Sequence, residues 1–172
     1  MPSQSRFPEA LKLVFDVEGR SDNEAPGDLD TSWGVTQPVY DEWRRSKGLP
    51  TRDVDEGTED EFRDIYLDFY WGRGKCEQIP WPLALLHFDT AVNCGVGMAN
   101  RMLQESLRVV VIDGIVGGAT LKALKAADPN LVFCRYTMHR LAHYAGLASR
   151  SAKHAGWLRG WLHRTGTLLL RA

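Results

Sequence analysis

At 172 residues, with 44% hydrophobic and 25% charged, the chain can bury a sizeable core and has the composition of an ordinary soluble globular protein: one domain, or a domain with a small appendage. A net charge of −1 lacks the basic excess a nucleic-acid partner demands, and no apolar run, Leu168-Leu169-Leu170 included, reaches the length of a membrane span. Acidic residues crowd between Asp16 and Asp68, whereas Arg135 to Arg171 is basic, as either a solvated face or a surface for an anionic polymer would be.

In chain order the pattern predicts a mainly α protein. Pro8 suits the first turn of a helix that ends at Glu18 or Gly19. Arg20 to Asp30 is a turn-rich loop with room for a short hairpin, and a second helix from Gln37-Pro38 turns Val39, Tyr40 and Trp43 inward before stopping at Gly48. Thr58-x-x-Glu61 is a capping box, opening a helix with Phe62, Ile65, Tyr66, Phe69 and Tyr70 on one face. The helix after Pro82 is apolar nearly all round and therefore central, so His87, Asp89 and Asn93 must find partners inside. Beyond Gly95 to Gly97, where a domain boundary is expected, Met98, Met102, Leu103 and Leu107 mark another helix. Val109 to Ile112 reads as a short extended segment closing on the turn Asp113-Gly114. Helices then follow from Gly117-Gly118, from Asp128-Pro129, and through Trp157, Leu158, Trp161 and Leu162.

Cys76, Cys94 and Cys134 are odd in number and far apart, so buried, reduced thiols are expected rather than a disulfide framework. Leu11-Lys12-Leu13-Val14-Phe15 is broken by lysine and is no signal-peptide core, which predicts synthesis in the cytoplasm without a signal peptide.

The stretch richest in chemistry closes the first helix. Leu11, Val14 and Phe15 recur at helical spacing, and Glu18 falls on the same stripe, at the negative end of the helix dipole. Desolvation and the dipole both penalise its charged form, which predicts a raised pKa suited to a general acid. The same spacing also fits a solvated helix-end glutamate.

Glu18-Gly19, a polar loop and Thr31-x-x-Gly34-Val35-Thr36 resemble the amino-terminal motif of the glycoside hydrolase family 108 muramidases. Tyr70-Trp71, Phe88-Asp89-x-Ala91-Val92-Asn93-x-Gly95, Leu103-Gln104 and Asp113-Gly114-x-Val116-Gly117-x-x-Thr120-Leu121 follow in matching order. The resemblance implies a lysozyme-like helical fold with a short hairpin or irregular loop after the first helix. Residues 1–95 would be the muramidase domain and 96–172 a predicted peptidoglycan-binding domain, packed as one body. It further implies cleavage of the β-1,4 bond between N-acetylmuramic acid and N-acetylglucosamine, with Glu18 as the acid and no cofactor or metal. The partner is then a peptidoglycan strand, reached in the periplasm or cell wall through a holin, a secretion route or lysis, as for phage endolysins.

A lysozyme-type reaction also needs a second group to activate water or stabilise the oxocarbenium-like transition state. Asp28 and Asp30 are the candidates, and Thr36 either holds the water and loop or caps the next helix. Trp33 and Tyr40 are expected to line the groove, with Tyr70, Trp71 and Asn93 as further substrate contacts. Family members usually read Glu-Gly-Gly and then Asp-Pro-Gly-Gly, whereas this chain has Arg20 and Pro26-Gly27-Asp28-Leu29-Asp30, which leaves the choice of second carboxylate open. The alternative is a peptidoglycan-binding module that has kept the fold and lost the chemistry. A zinc site at His139-x-x-x-His143 and a DNA-binding regulator are weaker readings, the first for want of a third ligand and the second on charge.

Overall fold

The structure is a computed structural model that describes residues 5–18, 31–108 and 111–171. The expected mainly α architecture, with a short hairpin after the first helix, is observed. Helix α1 spans Phe7–Glu18; β1 (Thr31–Ser32) and β2 (Val35–Thr36) form the hairpin, and α2 covers Gln37–Ser46. Then come α3 (Glu59–Ile65), α4 (Leu83–Cys94), α5 (Val96–Leu107), α6 (Gly118–Ala126), α7 (Pro129–Arg150) and α8 (Ala152–Arg171).

The start signals act as their chemistry dictates. Thr58 caps α3 with its side chain on the Glu61 amide, and the Glu61 carboxylate returns to the Thr58 amide. Asp128 takes the amides of Asn130 and Leu131 at the head of α7. Two expectations need correction. The helix begun at α3 does not run on regularly but widens into a π-helical turn at Tyr66–Gly72, and the wider turn brings Trp71 inward, off the 3.6-residue stripe, to 3% exposure. Of the extended segment expected at Val109 to Ile112 only Val111 and Ile112 are among the described residues, and they pair with no strand. Of the three cysteines only Cys76 is buried; Cys94 is half-buried and Cys134 exposed.

Helix α4 is the hub. Every residue from Leu83 to Ala91 is buried, and α1, α5, α7 and α8 all pack on it. Phe88 lies at the centre, its ring 5.4 Å from Trp71, 6.0 Å from Phe7 and 6.4 Å from Tyr66, in edge-on geometries that suit aromatic quadrupoles. The same core runs on through Met102, Leu103, Val132 and Leu168, so one apolar interior crosses the break at Gly95. That break is sharp because Gly95 sits at φ 84°, a conformation strained for any side chain.

The polar members of α4 do find partners. Asp89, fully buried, lies 2.5 Å from the Arg140 guanidinium of α7 and 2.6 Å from that of Arg164 in α8. Arg140 is itself fully buried and also donates to Thr90 Oγ1 at 3.1 Å. His87 bridges Gly74 O and the Tyr136 hydroxyl, each at 3.1 Å. Because a carbonyl only accepts, Nε2 carries the proton and donates to Gly74 while Nδ1 accepts from Tyr136.

Two stability effects follow. Asp89→Ala strands the buried Arg140 guanidinium and should cost about 3–5 kcal/mol in urea unfolding, whereas Arg164→Ala, which leaves the Asp89–Arg140 pair, should cost less. Burial, opposed only in part by the Gly74 and Asn100 contacts, pushes His87 down to about 4. The unfolded chain then takes up a proton below the ordinary histidine value that the folded chain refuses. Stability should therefore be fully present above about pH 6.5 and fall by on the order of 3 kcal/mol as pH drops towards 4. Urea titrations at a series of pH values measure this, and His87→Gln should flatten that part of the curve.

Candidate active site

The site is assembled where α1 ends. Glu18 is the last residue of that helix, and the stripe that precedes it faces the core: Leu11 is 6% exposed, Val14 is fully buried and Phe15 half-buried. The Glu18 side chain, Asp28 and Asp30 lie outside the described residues, as does the rest of the loop to residue 30.

The hairpin that closes the loop is a two-residue turn, with Thr31 paired to Thr36 and Ser32 to Val35. Its central residues, Trp33 and Gly34, have φ 57° and 73°, the type I′ geometry that matches strand twist. Glycine takes this readily; tryptophan does not, and so bulky a residue at positive φ is held there against strain. The holding groups are visible. Tyr66 donates its hydroxyl to Trp33 O at 3.0 Å, the Trp33 ring stacks on Phe62 at 6.2 Å, and Phe15 meets it edge-on at 5.7 Å. The indole is nevertheless 40% exposed. It lines a groove of about 580 Å³ together with Pro8, Leu11, Lys12, Phe15 and Asp16 of α1 and Glu59 and Arg63 of α3. An apolar floor, an aromatic wall and charged rims of both signs suit a sugar chain, which presents apolar ring faces and polar edges.

Thr36 ends β2 and stands at the N-cap of α2 at φ −82° and ψ 154°, but its hydroxyl makes no capping bond to the helix. Tyr40 needs correction as a groove residue: it is fully buried, and its hydroxyl donates to Glu61 Oε2 at 2.9 Å. The Trp71 ring is likewise taken up by the core, and its Nε1 donates to Glu77 at 3.1 Å. Tyr70 is half-buried and lies 5.5 Å from the Tyr66 ring. Asn93, exposed at the far end of α4, accepts the Tyr144 hydroxyl at 2.7 Å. The structure thus brings Trp33 and the last turns of α1 together, takes Tyr40 and Trp71 into the core, and leaves Tyr70 half-buried beside the Tyr66 that holds the hairpin.

Beneath the hairpin lies a network the sequence reading missed. Glu61 receives Arg44 at 2.6 Å as well as Tyr40, and Arg44 Nε reaches Pro50 O at 2.6 Å. Gln37 donates to Asp41 and to Arg52 O and accepts the Val54 amide at 2.7 Å. Burial pushes the Glu61 carboxyl up, but the Thr58 amide, the Tyr40 hydroxyl and the Arg52 and Arg44 guanidiniums outweigh it and hold it below its ordinary value. The capping box was the one signal at Glu61 readable beforehand. His139 pairs with Glu105 at 3.3 Å, and among the described residues no group of three His, Cys, Asp or Glu side chains could hold a metal ion.

Residues 11–95 match the family model described as glycosyl hydrolase 108, and residues 98–166 match one described as a predicted peptidoglycan domain. The chain belongs to the glycosyl hydrolase 108 family. Among solved structures, that of Brucella abortus SagA is similar at a TM-score of 0.76 and 25% identity, over 95% of this chain and 94% of that one. A comparison with curated proteins found no match. The glycosyl hydrolase 108 match takes in α1 from Leu11 onward, the hairpin and α4, so Trp33 and every groove residue except Pro8 lie within it.

The strain at Trp33 is measurable. Trp33→Gly and Trp33→Ala both remove the indole and should weaken binding of glycan fragments about tenfold, the scale of a lost aromatic contact of about 1.4 kcal/mol. The glycine variant should be the more stable of the two by about 1 kcal/mol, because only glycine tolerates positive φ freely. Equal stabilities in thermal unfolding would mean that the turn is not held in this conformation.

Proposed function

We propose that this glycosyl hydrolase 108 chain is a lysozyme-type muramidase, cleaving the β-1,4 bond between N-acetylmuramic acid and N-acetylglucosamine with Glu18 as general acid. At the level of the family it is a peptidoglycan-directed glycoside hydrolase. The observation that carries the finer reading is the place of Glu18: the last residue of α1, within the matched catalytic region and directly after the stretch of helix that lines the groove.

In this reading Glu18 gives its proton to the glycosidic oxygen as the bond to the anomeric carbon breaks. The negative end of the α1 dipole favours the protonated carboxyl that this step needs. A water then adds at the anomeric carbon. If Asp28 or Asp30 activates that water from the opposite face, the configuration inverts; if one of them attacks directly, it is retained. In the same reading Trp33 stacks on a sugar ring, and the Thr36 hydroxyl, which does not cap α2, holds the loop or the water. Export would depend on a holin, a secretion route or lysis, as for an endolysin.

A second reading rests on the loop itself. Arg20 and the Pro26-Gly27-Asp28-Leu29-Asp30 sequence depart from the family pattern, which fits a wall-binding module with a degenerate site.

Release of new reducing ends from purified peptidoglycan separates the two. The wild type should release them and a folded Glu18→Gln variant should lose at least about a hundredfold in rate, the scale of a positioned general acid. Equal activity in both would remove Glu18 from the chemistry. Pelleting of both with the wall but no release from either would establish the binding module. Asp28→Asn and Asp30→Asn, scored with the anomeric configuration of the product, identify the second group.

A further inference from the structure

Residues 111–115, ahead of α6, show large apolar side chains to solvent from a backbone held at Ile112, Gly114 and Ile115. Val111 is 80% exposed, Ile112 44% and Ile115 68%. Gln104, only 1% exposed, donates through Nε2 to Asp113 Oδ1 at 2.7 Å and Ile115 O at 3.1 Å, and accepts the Gly114 amide at 2.8 Å. Asn100 donates to Gly114 O at 2.9 Å, and Arg101 Nη1 donates to Ile112 O at 3.0 Å. Val116, 4% exposed, anchors the far side. Two buried amides and a guanidinium thus read the loop backbone, while three apolar side chains within five residues point away from the core. An apolar cluster of this kind marks an interaction surface, and a rigid one binds without first paying to be ordered.

Charge narrows the partner. Arg101 is drawn against the loop by its bond to Ile112 O, and Arg108, exposed at φ 61°, ends α5 at the loop's entrance. Asp113, the loop's one carboxylate, is folded back: its Oδ1 accepts from Gln104 and from the Ile115 amide. Apolar side chains at the tip with guanidiniums behind them match a surface that has an apolar phase beneath anionic groups. A glycan strand or a nucleic acid has no such phase to receive Val111, Ile112 and Ile115.

We propose that residues 111–115 dock the protein on an anionic phospholipid bilayer, with Val111, Ile112 and Ile115 entering the boundary between headgroups and acyl chains and Arg101 and Arg108 meeting the phosphates. This stands apart from the hydrolase reading, since α5 and the loop lie outside the groove. No helix among the described residues is long and apolar enough to cross a membrane, so the contact is a surface one.

The test is sedimentation of the full chain with vesicles made of equal parts phosphatidylcholine and phosphatidylglycerol. The wild type should pellet with them, and much less with phosphatidylcholine alone. Val111→Asp combined with Ile115→Asp should weaken binding by at least about tenfold, given two large apolar side chains withheld from the bilayer. Arg108→Glu should weaken it and reduce its salt dependence. Far-UV circular dichroism checks that the variants fold, and Val111→Ser with Ile115→Ser serves if the aspartates unfold the chain. The proposal is overturned if the wild type stays in the supernatant or if the double variant pellets like the wild type. It is equally overturned if the variant instead loses a concentration-dependent dimer or its pelleting with peptidoglycan, which would make the loop a protein or wall contact.

Discussion

A carboxylate inside an apolar helix constrains everything packed around it. Asp89 has no water to turn to, so α7 and α8 must each deliver a guanidinium to one point on α4. An ion cluster of this kind adds little net stability over a well-packed apolar core, because desolvation consumes most of the Coulombic gain. Its force is in register. A helix that slid by one turn would leave a full charge buried without its partner, a penalty that apolar packing alone does not impose. The carboxylate therefore ties the last two helices to the centre of the glycosyl hydrolase 108 region, and the shared core crosses Gly95 as a consequence.

The end of α1 depends on that frame. Helix α1 packs on α4 and α8, and the Asp16 to Arg171 pair at 3.5 Å joins its last turn to the end of the chain. Opposite it, the hairpin is set by Tyr66, Phe15 and Phe62, from the widened turn, α1 and α3. Positive φ at Trp33 is the local cost of this arrangement, and its product is an indole that lines the groove. The network of buried Tyr40 and Arg44 with the half-buried Glu61 below leaves the hairpin a fixed base. The stored strain and the rigid base belong to one device, since a soft support would let the turn relax and carry the ring away.

Two kinds of surface then leave the body. The groove is mixed, apolar with charges of both signs, as a polymer of amphipathic rings requires. The loop at residues 111–115 is apolar at its tip and cationic behind, and it is held as firmly as the groove wall. Their contrast is one of composition: charges of both signs around the groove, guanidiniums beside the apolar residues of the loop, where Asp113 is folded back on Gln104.

The sequence by itself determined the elements whose causes are local. The capping box at Thr58, Asp128-Pro129 ahead of α7, the all-round apolar α4 and the Gly95 break each depend on residues within a turn or two, and each is where the spacing places it. That His87 and Asp89 needed internal partners was also legible, because burial of a polar group demands one wherever it occurs. Which partners was not: Arg140, Arg164 and Tyr136 lie some fifty or more residues away, and only packing selects them. The aromatic candidates divide the same way. From sequence, Trp33 is a groove candidate beside the motif, Tyr40 fits both the groove and the inward face of its helix, and Trp71 follows an aromatic stripe. The tertiary structure alone decided that Trp33 lines the groove, that Tyr40 serves Glu61, and that a π-helical turn carries Trp71 inward, because exposure is a property of the neighbours that arrive from elsewhere in the chain.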